Sequence, residues 1–266
     1  MTGLALGLVL ASGLLHALWN VLLAKAPRGF DTMAVANLIG FLAWLPVALV
    51  SWRIDRAAWP WLAVSAAFQI LYFVVVNFAY ARAPAHTAYP VARGAAPVLL
   101  LVIALLAGDG VTWWAAAGVA LIGAGVLGTA AGTPDFRTVA VALPVAVSLA
   151  GYTYVTAHGL RHADAATYFW LSMIPVVSIA MLTRKPAAVR DQMRPATVAM
   201  GLGMVGAHGL TLLALAMVPP AQVPAIGALR ETGILFMIAL TWQKASRSAM
   251  AGAALIFAGV VVLAAG

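Results

Sequence analysis

The sequence predicts an all-α integral membrane protein with ten transmembrane helices, arranged as two inverted five-helix repeats around a central cavity. Three observations predict this fold class. The chain of 266 residues is 64% hydrophobic and only 8% charged, with a mean hydropathy of +1.02. Its apolar residues form long runs separated by short polar breaks, which is typical of a multi-pass membrane protein. Its second half repeats the pattern of the first.

The apolar runs predict the individual spans. Helices satisfy their own backbone hydrogen bonds in lipid, and the residue alternation of a transmembrane β-barrel is absent from the sequence. A run of about 20 residues crosses the hydrocarbon layer at 1.5 Å per residue. We predict ten such spans at residues 3–24, 32–52, 58–80, 87–107, 112–130, 138–157, 164–183, 196–217, 222–242 and 248–265.

The net charge of +8 indicates membrane orientation rather than nucleic-acid binding. Of the 13 Lys and Arg residues between spans, ten lie in odd-numbered loops, and three, Arg53, Arg56 and Arg161, lie in even-numbered loops. Because cytoplasmic loops carry the excess of positive charge, both termini are expected outside a bacterial-type inner (plasma) membrane. The apolar N-terminus reads as a first span rather than a cleaved signal peptide, and the absence of cysteine leaves no disulfide framework.

An offset of 134 residues aligns the two halves. Pro90 then falls on Pro224, Gly118 on Gly252 and Gly125 on Gly259, and the segment GVALIGAGV aligns with GAALIFAGV without a gap. The halves are residues 1–132 and 133–266, and an odd number of spans in each inverts the second relative to the first. Inverted repeats are typical of transporters that bind substrate near the membrane midplane.

The predicted fourth and ninth spans contain charges. Glu231 is the only glutamate of the chain, and Arg230 and Arg93 also lie within spans. A charge at bilayer depth costs roughly 2.5–3.5 kcal/mol, which favours a functional role. The repeat should bring Arg93 and Glu231 together, either as a direct ion pair or as two charges lining one cavity, with Arg230 behind them. Glu231 could bind a cationic group or a coupling proton, and Arg93 a carboxylate or phosphate. The alternative is a buried pair that only locks the halves together.

Pro90, Pro97 and Pro224 are expected to interrupt these two spans, because proline removes a backbone hydrogen bond. Such breaks in both halves indicate a midplane site, although tolerated membrane prolines are also common.

Polar side chains at helical spacing predict the walls of a cavity, with hydrogen bonding between helices as the alternative. The third span contributes a stripe, and the first, sixth and eighth spans contribute shorter groups. The candidates on these spans, with one more from the fourth, are His16, Trp19, Asn20, Gln69, Tyr72, Asn77, Tyr80, Tyr89, Tyr152 and His208.

The sequence lacks the motifs of ATP binding, nucleophilic catalysis and metal binding. There is no phosphate-binding loop for ATP and no nucleophile–base arrangement, so we expect neither an enzyme nor a bound cofactor. His16 and His208 lack further ligands at a set spacing, so no metal site is expected.

Four segments resemble the drug/metabolite transporter superfamily, EamA-type. They are LLHALWNVLLAK, YARAPAHTAYPVARGAAPVLL, GVALIGAGVLG and ALRETGILF, within a resemblance that covers the whole chain. The family commonly ends its fourth and ninth spans with Gly-Glu, whereas this chain has Gly108-Asp109-Gly110 and Trp242-Gln243-Lys244. The resemblance implies a cavity between the third, fourth, eighth and ninth spans that contains Tyr89, Arg93, Arg230 and Glu231.

The expected function is a secondary transporter, an exporter in the preferred direction, of a small polar or zwitterionic organic metabolite. Its partners would be that substrate, the lipid bilayer and no nucleic acid. Protons are one candidate coupling ion, and monomer and homodimer both stay open. The alternative is a non-transporting accessory or structural membrane subunit, such as part of a lipid-carrier flippase.

Overall fold

A computed structural model describes residues 1–25, 30–130, 134–236 and 246–265. These residues form helices joined by short connections, and the part of the chain so described contains no β-strand beyond one isolated bridge. The helices are α1 Gly3–Lys25, α2 Phe30–Val50, α3 Ala58–Tyr80, α4 Ala85–Leu106, α5 Trp113–Gly128, α6 Phe136–Gly159, α7 Ala165–Leu182, α8 Pro186–Asp191, α9 Pro195–Ala216, α10 Val223–Arg230 and α11 Arg247–Ala265.

Eight of these helices are long and apolar enough to cross a membrane. They are α1 to α4, α6, α7, α9 and α11, while α5 is apolar but shorter, with 16 residues. The predicted ninth span continues beyond the described residues, so the Trp242-Gln243-Lys244 comparison also lies outside them. The protein is therefore an α-helical multi-pass membrane protein, and the count of ten spans stays a prediction.

The distribution of side chains is that of a protein surrounded by lipid. Large apolar side chains such as Val50, Leu106 and Leu182 are exposed on the outside. Three charged side chains, in contrast, are buried inside: Arg93, Arg230 and Glu231. A water-soluble protein has the opposite arrangement, because burying a charge without a partner is costly.

Short polar residues begin three of the helices. The side chains of Thr112, Asp135 and Asp164 accept hydrogen bonds from the backbone N–H groups of Ala115, Thr138 and Ala166, respectively. Each satisfies an N–H group that has no partner within its helix. The hydrogen bonds from Thr138 hold the pKa of the exposed Asp135 carboxyl below its ordinary value.

The prediction that the prolines interrupt these two spans is wrong. Helix α4 continues through both Pro90 and Pro97, and Pro224 lies in the first turn of α10, where a missing N–H leaves no hydrogen bond unmade. The predicted ninth span is interrupted later. Helix α10 ends at Arg230, Glu231 and Thr232 form a turn, and helix resumes at residues 233–236. This break places the only glutamate at a helix end.

The helices pack in a few extensive pairs. Helix α1 packs on α9, α3 on α6, α4 on both α6 and α10, and α5 on α11. In the last pair a Cβ atom on Gly125 would lie 2.6 Å from the carbonyl oxygen of Gly252, so the two backbones are in direct contact. Small residues allow this approach, as is common between membrane helices.

Two connections meet at one end of the bundle. The segment between α2 and α3 meets the segment between α6 and α7 in an antiparallel bridge of Ile54 and Ala163. Hydrogen bonds flank the bridge on both sides, from Asp55 N to the oxygen of His162 and from Asp164 N to the oxygen of Arg53, each 2.8 Å long. At the opposite end, Arg184 Nε lies 2.7 Å from Asp31 Oδ1.

Candidate functional site

The centre of the candidate site is an ion pair between two distant parts of the chain. Arg93 lies in α4, and Glu231 follows the last residue of α10. Arg93 Nη1 donates to Glu231 Oε1 at 3.0 Å, and the two side chains are 10% and 4% exposed. Of the two arrangements that the repeat predicts for these charges, the structure contains the direct ion pair.

Arg230 approaches the same carboxylate oxygen. Its Nη2 lies 3.6 Å from Glu231 Oε1, and its Nη1 donates to the hydroxyl of Tyr152 at 2.8 Å. Tyr152 comes from α6, so this hydrogen bond joins α10 to a third helix. Glu231 therefore serves two guanidinium groups, and Arg93 is the closer of the two.

Aromatic residues surround the Arg93 side chain. The guanidinium carbon lies 5.2 Å from the centre of the Tyr89 ring, within the range of a cation–π contact. Arg93 Nη2 lies 3.5 Å from His16 Nε2, and the His16 ring in turn meets Trp19 edge to face at 4.9 Å. These contacts connect α4 to α1.

Both arginines line a cavity of about 360 Å³ in the middle of the bundle, which we call the central cavity. Ligand pockets of roughly 300–1,000 Å³ hold small molecules, so the volume suits one small ligand. Eleven of the predicted residues line it: His16, Trp19, Asn20, Gln69, Tyr72, Tyr80, Tyr89, Arg93, Tyr152, His208 and Arg230.

Two predicted residues do not line the central cavity. Glu231 is absent from its wall, although it contacts the two arginines that do line it. Asn77 is exposed, and its Nδ2 donates to the backbone oxygen of Phe73 at 2.6 Å. Eight residues at about 100° each place Asn77 about 80° round the helix from Gln69, whereas Val76 lies nearer the centre of the stripe. Val76 lines the cavity in its place.

The sequence interpretation missed contributions from α2 and α7. Asn37 and Met33 of α2 line the cavity, as do Phe169 and Met173 of α7. Asn37 is an amide within a span, so the reasoning that selected Gln69 could have found it. The α7 pair is apolar and carries no signal that separates cavity from core. The cavity thus also touches helices outside the four that the family resemblance implies.

Hydrogen bonds of two hydroxyl side chains join two helices at one side of the cavity wall. Ser12 Oγ donates to the backbone oxygen of Ala207 at 2.6 Å and lies 2.7 Å from Thr211 Oγ1. Both hydroxyl groups line the central cavity and tie α1 to α9.

Two buried donors of the wall have no hydrogen-bond partner among the described residues. They are Trp19 Nε1 and Arg230 Nε. Buried polar groups are usually paired, so these two donors are exceptions. Over the same described ranges, no three His, Cys, Asp or Glu side chains come together as metal ligands would.

Comparisons with known proteins bear on the fold alone. No protein-family model matches the sequence, and no curated protein matches it. A solved structure described only as "Crystal structure of protein" is similar over 97% of this chain and 96% of its own, with a TM-score of 0.62 and 18% sequence identity. That likeness concerns the fold alone, and the long apolar helices are what indicate an α-helical membrane protein.

Proposed function

We propose that the chain is a secondary transporter of a small organic metabolite, polar or zwitterionic, of the EamA type in the drug/metabolite transporter superfamily. Export is the preferred direction. The observation that carries the proposal is the central cavity, which places a buried ion pair, unpaired donors and aromatic rings inside a membrane bundle. Charges inside membrane bundles mark substrate and ion pathways.

The helix packing supports two inverted repeats of five spans each. With the 134-residue offset, α1 corresponds to α6 and α3 to α9. The contact of α1 with α9 then has the contact of α6 with α3 as its counterpart, and both are extensive. A two-fold axis requires such reciprocal pairs.

The glycines of α5 and α11 follow the same rule. Gly118 meets Gly259, and Gly125 meets Gly252, with Cβ-to-carbonyl distances of 2.5–3.1 Å for atoms built on these positions. In the repeat alignment Gly118 corresponds to Gly252 and Gly125 to Gly259, so each contact maps onto the other.

The two ends of the bundle support alternating access. The bridge of Ile54 and Ala163 joins two connections at one end. The cavity extends toward the other end, to Leu23, Met33 and Tyr80, near the end of α1, the start of α2 and the end of α3. By the count of Lys and Arg this second end is expected in the cytoplasm, so within this proposal we assign an inward-facing state.

A binding screen followed by a flux measurement tests the proposal. The purified chain is screened by thermal shift against amino acids, amines, nucleobases and sugar phosphates, because a ligand that binds the folded state raises the melting temperature. A ligand that shifts it is then loaded into proteoliposomes for counterflow. We expect saturable flux that Glu231→Gln abolishes and that Asp191→Asn, at an exposed carboxylate, leaves unchanged.

Flux equal to wild type in folded Glu231→Gln protein would remove the assigned role of the ion pair. Absence of flux for every ligand that binds, together with a copurifying partner, would favour the accessory-subunit function.

A further inference from the structure

The charge of the central cavity is set by very few residues. Glu231 is the only glutamate, and the six aspartates, Asp31, Asp55, Asp109, Asp135, Asp164 and Asp191, lie in connecting segments or in the first or last residues of helices. The segments outside the described residues, 26–29, 131–133, 237–245 and 266, contain no acidic side chain. Among the described residues, Glu231 is the one acidic side chain that contacts the two arginines of the cavity wall.

The Glu231 carboxylate already forms ion pairs with two arginines. Its Oε1 lies 3.0 Å from Arg93 Nη1 and 3.6 Å from Arg230 Nη2, and Glu231 is not part of the cavity wall. A cationic group of a ligand would meet the two guanidinium groups before it reached the carboxylate. The hypothesis that Glu231 binds a cationic group directly is therefore not favoured by this geometry.

The two arginines leave a positive charge without a partner. With the histidines counted as neutral, two guanidinium groups face one carboxylate, and both guanidinium groups line the cavity. A buried charge is costly unless it is paired and hydrogen-bonded. An anion in the cavity would supply the missing charge.

Two residues of the wall also carry a hydrogen-bond donor without a partner among the described residues. Arg230 Nε and Trp19 Nε1 are both donors, and both are buried without a partner among the described residues. A ligand that satisfies them must offer acceptor atoms. Carboxylate oxygens and the oxygens of a fully ionised phosphate accept hydrogen bonds and do not donate them.

The remaining wall fits an apolar, flat body. Trp19, Tyr72, Tyr89 and Phe169 supply rings, and Met173 supplies a flexible thioether. Rings and methionine provide van der Waals contact for aromatic and aliphatic groups.

We propose that the ligand of the central cavity is a small organic anion, whose carboxylate or phosphate is held by Arg230 and Arg93 and whose apolar body packs on the aromatic wall. This inference rests on the proposed transport function and narrows its substrate class, because it selects anions over zwitterions. An ammonium group on the ligand would restore the surplus positive charge that the anion removes.

A matched set of ligands tests the inference by calorimetry on the purified full chain. The set is 3-phenylpropanoate, its neutral amide, phenylalanine and phenethylamine, with benzoate, indole-3-acetate and phenyl phosphate as further anions. We expect at least one anion to bind, and to bind at least tenfold more tightly than the neutral amide. Tighter binding of the amine or of phenylalanine overturns the inference, and so does the failure of all four anions to bind.

Variants locate the effect at the proposed residues. Arg230→Gln removes the surplus charge and keeps the Arg93–Glu231 pair, so it should weaken anion binding at least tenfold and leave binding of the neutral amide within twofold. Tyr152→Phe keeps the charge and removes one hydrogen bond of Arg230, and should change anion binding by no more than a few fold. Arg190→Gln makes the same change of charge at a side chain that is 85% exposed, and should have no effect.

Flux measurements separate this inference from the proposed function. Anions that bind but never cross proteoliposome membranes would contradict transport and leave the ligand class intact. Transport of an amine or a zwitterion, without anion binding, would uphold transport and overturn the ligand class. Unchanged anion affinity in folded Arg230→Gln protein also overturns the inference.

Discussion

Replacing Glu231 by glutamine removes the one carboxylate that two buried arginines share. Coulomb's law at the 3.0 Å distance between Arg93 Nη1 and Glu231 Oε1 gives about 5.5 kcal/mol at an effective dielectric constant of about 20. Removing one partner of a buried pair typically costs about 3–5 kcal/mol, because the other charge stays buried. At about 2–4 °C per kcal/mol, the melting temperature should fall by about 10 °C.

The structure also ranks the single substitutions. Glu231→Gln leaves two guanidinium groups without a carboxylate and should be the most destabilising. Arg93→Gln leaves Glu231 with Arg230 at 3.6 Å and should cost less, while Arg230→Gln keeps the 3.0 Å pair and should cost least. Asp191→Asn, at a carboxylate that is 65% exposed, is the matched control and should change the melting temperature by no more than a degree or two.

The assay is thermal unfolding of the purified protein in detergent, followed by tryptophan fluorescence. The double variant Arg93→Gln/Glu231→Gln completes a mutant cycle, in which residues in contact show a coupling of about 0.5–3 kcal/mol. The reasoning is refuted if Glu231→Gln melts within two degrees of wild type, or if the effects of the two substitutions simply add.

Three further predictions concern the bundle, its bridged end and the cavity wall. Gly125→Ala should cost about 1–3 kcal/mol in unfolding free energy, because the new Cβ would lie 2.6 Å from a backbone oxygen of α11, whereas Gly7→Ala meets no atom within 4 Å. A disulfide between Ile54→Cys and Ala163→Cys, in a chain that has no other cysteine, should stop flux until it is reduced, since directly opposed strand residues lie within disulfide reach. Asn77→Ala should leave the apparent KM for transport within twofold, because its side chain lies off the cavity.

Each of these has a contrary outcome. Equal melting temperatures for the two glycine variants would contradict the close contact of α5 and α11. Undiminished flux in fully crosslinked protein would show that the bridged end need not open. A large rise in KM for Asn77→Ala would place that amide at the substrate after all.

Much of the wall of the central cavity could be predicted from spacing along single helices. His16, Trp19 and Asn20 share a face, as do Gln69, Tyr72 and Tyr80, and all six line the cavity. A helix places residues three and four apart on one side regardless of its neighbours, so this information is local. Asn77 fails because the same geometry, followed for eight residues, turns it away from the stripe.

The positions of the prolines did not predict where the helix breaks in the predicted ninth span. Pro224 lies in a first turn, where proline is tolerated, and the turn falls instead at Glu231 and Thr232. At Gly233, a Cβ would lie 2.8 Å from the backbone oxygen of Gly13, so α1 crosses against the chain where helix resumes. A contact between residues so distant in sequence leaves no local pattern.

The sequence by itself determined that lipid surrounds this protein. It also determined which charged residues cannot face the lipid. Long apolar runs require lipid, and the cost of a charge at that depth means that Arg93, Arg230 and Glu231 must turn inward. Only the tertiary structure decided how those charges are shared. It places Glu231 Oε1 beside the guanidinium groups of Arg93 and Arg230. The Arg230 guanidinium also donates a hydrogen bond to the Tyr152 hydroxyl. Pairing depends on distances of a few ångströms between helices, because electrostatic energy falls with separation in space and not along the chain.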